Sequence, residues 1–96
     1  MATVSIVIGN VNKSVPQAVP VSAEVITSTG SSQQSSNAAP TADLNAFWIV
    51  TVVGGAVWVK AGSNPTAVAG DDWLISDGQT REWKASAGDK LAVINA

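Results

Sequence analysis

An all-β fold, a small antiparallel β-sandwich or barrel with an extended N-terminal arm, is predicted by three features of this 96-residue chain. Runs rich in Val, Ile, Thr and Trp recur about every ten residues, the rhythm of sandwiches and barrels built from short strands. Glycine-bearing turn signals, Gly54-Gly55, Asp77-Gly78 and Ala87-Gly88-Asp89, separate those runs. Within the runs, large residues alternate or occupy both faces, as on a pleated strand.

Taken in order, Thr3 to Ile8 mixes β-branched residues with partial alternation and reads as a strand, ended by the turn signal Gly9-Asn10. Pro16 and Pro20 bracket an extended stretch, because each fixes its own φ and pushes the preceding residue out of the helical region. Val21 to Thr27 is the next strand. Asn45 to Val53 carries Phe47, Ile49 and Val53 on one face and Trp48, Val50 and Val52 on the other, so cover is expected on both faces. Gly54-Gly55 then reads as a two-residue hairpin turn, since glycine reaches the positive φ of the primed turns, and Ala56 to Ala61 returns as its antiparallel partner. Gly62 to Pro65 breaks that strand. Trp73 to Ser76 and Arg81 to Ala85 flank a second hairpin signal at Asp77-Gly78, and Lys90 to Asn95 closes the fold with Leu91 and Val93 opposite Ala92 and Ile94. Trp48 and Trp58, and again Trp73 and Trp83, are spaced alike across the two glycine turns, which suggests two similar hairpins with or without an ancestral duplication.

Between the halves, Ser28 to Ala42 has neither a charge nor a large apolar residue. Such a stretch cannot bury enough surface to offset about 1–2 kcal/mol of backbone entropy per residue, so it reads as a linker or long surface loop. The chain therefore divides into an N-terminal arm (1–28), a Ser/Gln-rich linker (29–43) and an antiparallel body (44–96). As a flexible coil the linker would reach roughly 20 Å. That suffices for Thr3 to Ile8 to add as a strand to a neighbouring sheet, with Ile6 and Ile8 filling pockets there.

Composition narrows the function. The chain has no cysteine and no histidine, which removes thiol nucleophiles, disulfides, the usual zinc sites and imidazole bases. Five basic residues against seven acidic ones give a net charge of −2, and Lys13, Lys60, Arg81, Lys84 and Lys90 are scattered, so no nucleic-acid partner is expected. The longest apolar stretch, Phe47 to Val59, is broken by two glycines and is shorter than the roughly 20 residues a bilayer-spanning helix needs, so no membrane span is expected. Nor does Met1 to Gly9 have the basic and apolar regions of a secretory signal.

Asp71, Asp72, Asp77 and Asp89 could be weighed as oxygen ligands for calcium, but they lack EF-hand order and are better explained as turn formers beside glycines. The carboxylate pairs Asp71/Asp72 and Asp77/Glu82 have nothing that singles them out as an acid and base, and neither phosphate-cradling glycine motif is present. An enzyme is not expected, nor a cofactor or metal. The four tryptophans are the most conspicuous residues. Trp48 and Trp58 lie in strongly apolar company and read as packed. Trp73, after two aspartates, and Trp83, between Glu82 and Lys84, read as lying near a surface, so Ile6, Ile8, Trp73 and Trp83 are the candidate interface residues.

The runs Gly55 to Gly62, Ala67 to Ile75, Asp77 to Trp83 and Ala87 to Ile94 together resemble small β-rich virion proteins of tailed bacteriophages, of the capsid-decoration, head-fibre or tail-accessory type. The resemblance implies architecture and assembly rather than a catalytic site. It leads to the expectation of a structural virion protein that binds and stabilises a capsid lattice, its partner the major capsid protein or another virion protein. Self-association, with a homotrimer favoured, is expected because a body of this size has too little surface of its own to hide two-faced apolar strands. The alternative is a carbohydrate- or receptor-binding module of a phage fibre or tail that presents exposed tryptophans.

Overall fold

The computed structural model describes residues 2–12, 15–16, 22–40 and 46–96, which form nine strands. Expectations placed on Pro20, Val21, Thr41, Ala42 and Asn45 lie outside the described residues. The strands are β1 (Thr3–Asn12), β2 (Val15–Pro16), β3 (Ser22–Thr27), β4 (Gln33–Gln34), β5 (Ala46–Val53), β6 (Val57–Gly62), β7 (Trp73–Ile75), β8 (Thr80–Lys84) and β9 (Lys90–Asn95). All pairings are antiparallel. One sheet runs β3-β1-β5-β8, with β2 forming a short hairpin on the end of β1; the other runs β4-β9-β6-β7.

The fold class is the all-β one predicted, and the two sheets pack as a sandwich. Alternation along each strand selects one inward face. Val4, Ile6 and Ile8 of β1 and Trp48, Val50 and Val52 of β5 meet Val57 and Val59 of β6, Ile75 of β7, and Leu91 and Val93 of β9 in one buried cluster. Ile26 and Trp83 pack on its margin. On the outer side of β5, Phe47 and Ile49 are only half-buried and Val53 is 58% exposed, so cover is complete on the inner face alone.

The N-terminal strand is not an arm. Thr3 to Ile8 is bonded on one side to β3 and on the other to β5, which makes β1 a central strand of its own sheet. Its inward aliphatics need the opposite sheet of this chain, so Ile6 and Ile8 are fully buried and are not free to augment a neighbour. The same fact removes the argument for a homotrimer, because β1 and β3 supply from within the chain the cover the body lacked. Gly9-Asn10 is not a turn either. The ladder with β5 runs through it, with Gly9 opposite Phe47, and a Cβ at Gly9 would fall 2.6 Å from the end of the Phe47 ring. Glycine stands in that strand because the aromatic lies across it.

None of the glycine turns in the second half makes a hairpin. Gly54-Gly55 carries the chain from the first sheet to the second, Asp77-Gly78 carries it back, and Ala87-Gly88 crosses again. A flat β5-β6 hairpin would place Val50, Val52, Val57 and Val59 on one shared face that still needed a cover. Folding over at the glycines instead turns those residues towards one another. The first two crossovers stack side by side: Gly78 N–H donates to Val52 O (2.7 Å), Val52 N–H to Gln79 O (3.1 Å) and Gly54 N–H to Asp77 Oδ1 (2.8 Å). The stretches β5-β6 and β7-β8 are thus two antiparallel arcs, in which Trp48 opposes Trp83 and Val59 opposes Trp73. Of the four tryptophans, only Trp48 and Trp83 meet across the arcs; Trp58 opposes Leu74, so the equal spacing does not pair the other two.

Residues 28–40 are an ordered strap rather than a flexible linker. Gln33–Gln34 pairs with β9, and the two buried serines do most of the anchoring. Ser28 N–H donates to Ala2 O (2.8 Å), while its hydroxyl accepts Ala2 N–H (2.8 Å) and donates to Asn95 Oδ1. Ser35 N–H donates to Leu91 O (2.7 Å), and Leu91 N–H donates to the Ser35 hydroxyl (3.0 Å). The Glu24 carboxylate, facing inward from β3, accepts the N–H groups of Ser36 (3.0 Å) and Asn37 (2.9 Å).

Candidate interaction surface

Of the exposed large apolar residues, Val25 and Val53 lie on the outer side of the first sheet and Val68 on the β6–β7 connection, while Trp73 and Leu74 are neighbours on β7 at one rim of the sandwich. β7 and β8 are the edge strands of their two sheets and lie on the same side, joined by the stacked turns. On β7, Ile75 is buried, and Trp73, on the same side of the strand, therefore points into the gap between the sheets at the rim. Trp73 is 53% exposed, and the Arg81 guanidinium, reaching across from β8, sits 5.1 Å from its ring centroid. A cation–π contact at such a wet site contributes about 0.5–1 kcal/mol and holds the indole upright.

Leu74 points the other way, to the outer face of the second sheet, and is 41% exposed. In register it opposes Trp58, which opposes Ile94, so one row of apolar side chains crosses β7, β6 and β9 on the solvent side. Both Trp58 and Ile94 are half-buried. The neighbouring row holds Lys60 and Ala92. Ala92 is buried because the β6–β7 connection folds back over it: Pro65 and Ala67 are buried, the Gln34 amide donates to Pro65 O (2.8 Å), and Ala67 N–H donates to the Ser32 hydroxyl (2.8 Å). Lys60 pairs with Asp71 at 3.4 Å and Asp72 at 3.8 Å, both exposed, and fixes the end of the connection that leads into Trp73.

The four sequence-selected interface residues thus separate. Trp73 is at the surface, Trp83 packs against the core margin, and Ile6 and Ile8 are inside. Leu74 and Ile94 were not selected. Their signal was the cross-strand row with Trp58, which exists only once β6 is known to lie between β7 and β9. The aspartates weighed as cation ligands serve elsewhere: Asp71 and Asp72 flank Lys60, Asp77 accepts from a turn, and no group able to hold a metal ion occurs among the described residues.

Of the other tryptophans, Trp48 is fully buried opposite Trp83, and its indole N–H has no hydrogen-bond partner among the described residues. An unpaired buried donor costs about 1–3 kcal/mol, so Trp48 is retained for its volume and not for its polar handle.

No family model, curated protein or solved structure matches the chain.

Proposed function

We propose that this protein is a structural component of a bacteriophage virion that attaches to a repeating protein lattice, such as a capsid, and stabilises it without catalysis. The observation that carries the reading is the apolar row Leu74-Trp58-Ile94 on the outer face of the second sheet, with the half-exposed Trp73 at the rim beside it. A rigid sheet face with an aromatic anchor and few charges has the make-up of the central part of a protein–protein contact. The resemblance of Gly55 to Ile94 to small virion proteins points the same way.

Co-sedimentation of the purified chain with phage particles that lack it tests the proposal. Leu74→Asp and Trp73→Ala should each lower the bound amount about tenfold or more, as expected for anchor residues, while leaving the circular dichroism spectrum unchanged. Undiminished binding by both variants would sink the reading.

The exposed indole of Trp73 also suits the second reading, stacking on a sugar ring. Tryptophan fluorescence quenching with and without glycans separates the two: protection of Trp73 by glycan supports the carbohydrate module, and no change supports the lattice contact.

A further inference from the structure

We infer that β8 is a two-fold contact, pairing antiparallel with β8 of a second copy of this chain about an axis through Trp83. The first support is the open edge. β8 is bonded to β5 on one side, and among the described residues no strand pairs with its other side.

Bond alternation decides which groups face that edge. Ala85 N–H donates to Ala46 O and Val52 N–H to Gln79 O, so the bonded pairs of this ladder include Trp48 with Trp83 and Val50 with Arg81. The hydroxyls of Thr51 and Thr80, 3.0 Å apart, fit the closer side-chain approach of the intervening non-bonded pairs. Arg81 and Trp83 therefore turn their backbone groups towards β5, and Thr80, Glu82 and Lys84 turn theirs outward.

The second support is the order of charges. A two-fold axis normal to the sheet keeps every side chain on its own face, so it must pass through a residue and not between two. Centred on Arg81, the pairing sets that arginine against its copy; centred on Glu82, it sets carboxylate against carboxylate. Centred on Trp83, it sets Glu82 opposite Lys84 of the second copy and Lys84 opposite Glu82, as bonded pairs that exchange N–H···O=C both ways, with the two Trp83 residues facing each other at the axis as the intervening non-bonded pair, their indoles on the inner face. Glu82 and Lys84 are exposed on the outer face, and neither makes an ion pair among the described residues. Charges that ordinarily keep an edge strand single are here arranged to match in one register.

The other long edge, β3, lacks this pattern. Its only charge, Glu24, faces inward and is taken by the strap, and its outward residues Ala23, Val25 and Thr27 are neutral. The axis on β8 would also point both second sheets the same way, so the two Leu74-Trp58-Ile94 rows would face one lattice together. That consequence alone rests on the proposed function; the pairing itself does not.

Sedimentation velocity of the full chain over a range of concentrations, at low and high salt, tests the contact. A monomer–dimer equilibrium that weakens with salt is expected. Glu82→Lys and Lys84→Glu should each raise the dimer Kd about tenfold or more, since each creates two like-charge cross-strand pairs, and the double swap should restore it. Unchanged melting temperatures exclude misfolding at these exposed positions. A monomer at every concentration, a trimer, dimers indifferent to the single reversals, or a double swap that fails to rescue would overturn the inference. So would loss of the dimer with Val25→Lys, which would move the contact to β3.

Discussion

The strap of residues 28–40 and the pair of arcs β5-β6 and β7-β8 are both ordered, yet they are held by different forces. The arcs are fastened by burial: Trp48, Val50, Val52, Val57, Val59 and Ile75 have no accessible surface, and burying each large side chain contributes about 1.5–3 kcal/mol. The strap has almost no apolar surface to bury. It is held by hydrogen bonds: the hydroxyls of Ser28 and Ser35 accept backbone N–H groups of other segments, and the Glu24 carboxylate on β3 accepts N–H groups of the strap itself. Low hydrophobicity excludes independent folding; it does not exclude order on a surface that supplies partners.

Five substitutions sharpen this contrast. Trp48→Ala removes the largest buried side chain of the arcs and should cost about 3–5 kcal/mol in urea unfolding. Trp48→Phe should cost much less, because it also removes the unpaired indole donor. If the two variants lose equal stability, that N–H has a partner after all.

On the strap, Ser35→Ala and Ser28→Ala should each cost about 1–3 kcal/mol, by leaving the buried amides of Leu91 and Ala2 without their hydroxyl acceptor. Hydrogen exchange should quicken at Leu91 and Ala2 in the respective variants. No change in either would mean that the strap contributes little to holding β9 and the start of β1.

The smallest effect is expected at the stacked turns. Gly78 has a φ of 80°, and Gly78→Ala should cost about 1–2 kcal/mol although open space surrounds its Cα. A neutral result would show that the crossover shifts to a backbone compatible with alanine.

Much of the fold was legible in local pattern. Lys90 to Asn95 is the closing strand as read, with Leu91 and Val93 inward, and the inward set Trp48, Val50 and Val52 follows from alternation along β5. Trp73 was legible as a surface residue from the aspartates before it. Trp83 was less legible: its charged neighbours, Glu82 and Lys84, point to the opposite face of β8, so they say nothing about what half-buries the indole at the core margin. Leu74 was illegible because a strand of three residues has too little pattern to show which side is wet.

Strand content, the positions of reversal and the face each strand buries are consequences of β-branching, glycine and alternation, all short-range properties that the order of residues carries alone. Which strands pair is not such a property. Gly54-Gly55 and Asp77-Gly78 permit a hairpin and a crossover equally, and only the need of two apolar faces to cover each other chooses the crossover. The same long-range demand draws Thr3 to Ile8 from a free arm into the centre of a sheet, and it creates the polar sites on which a charge-free strap is fastened.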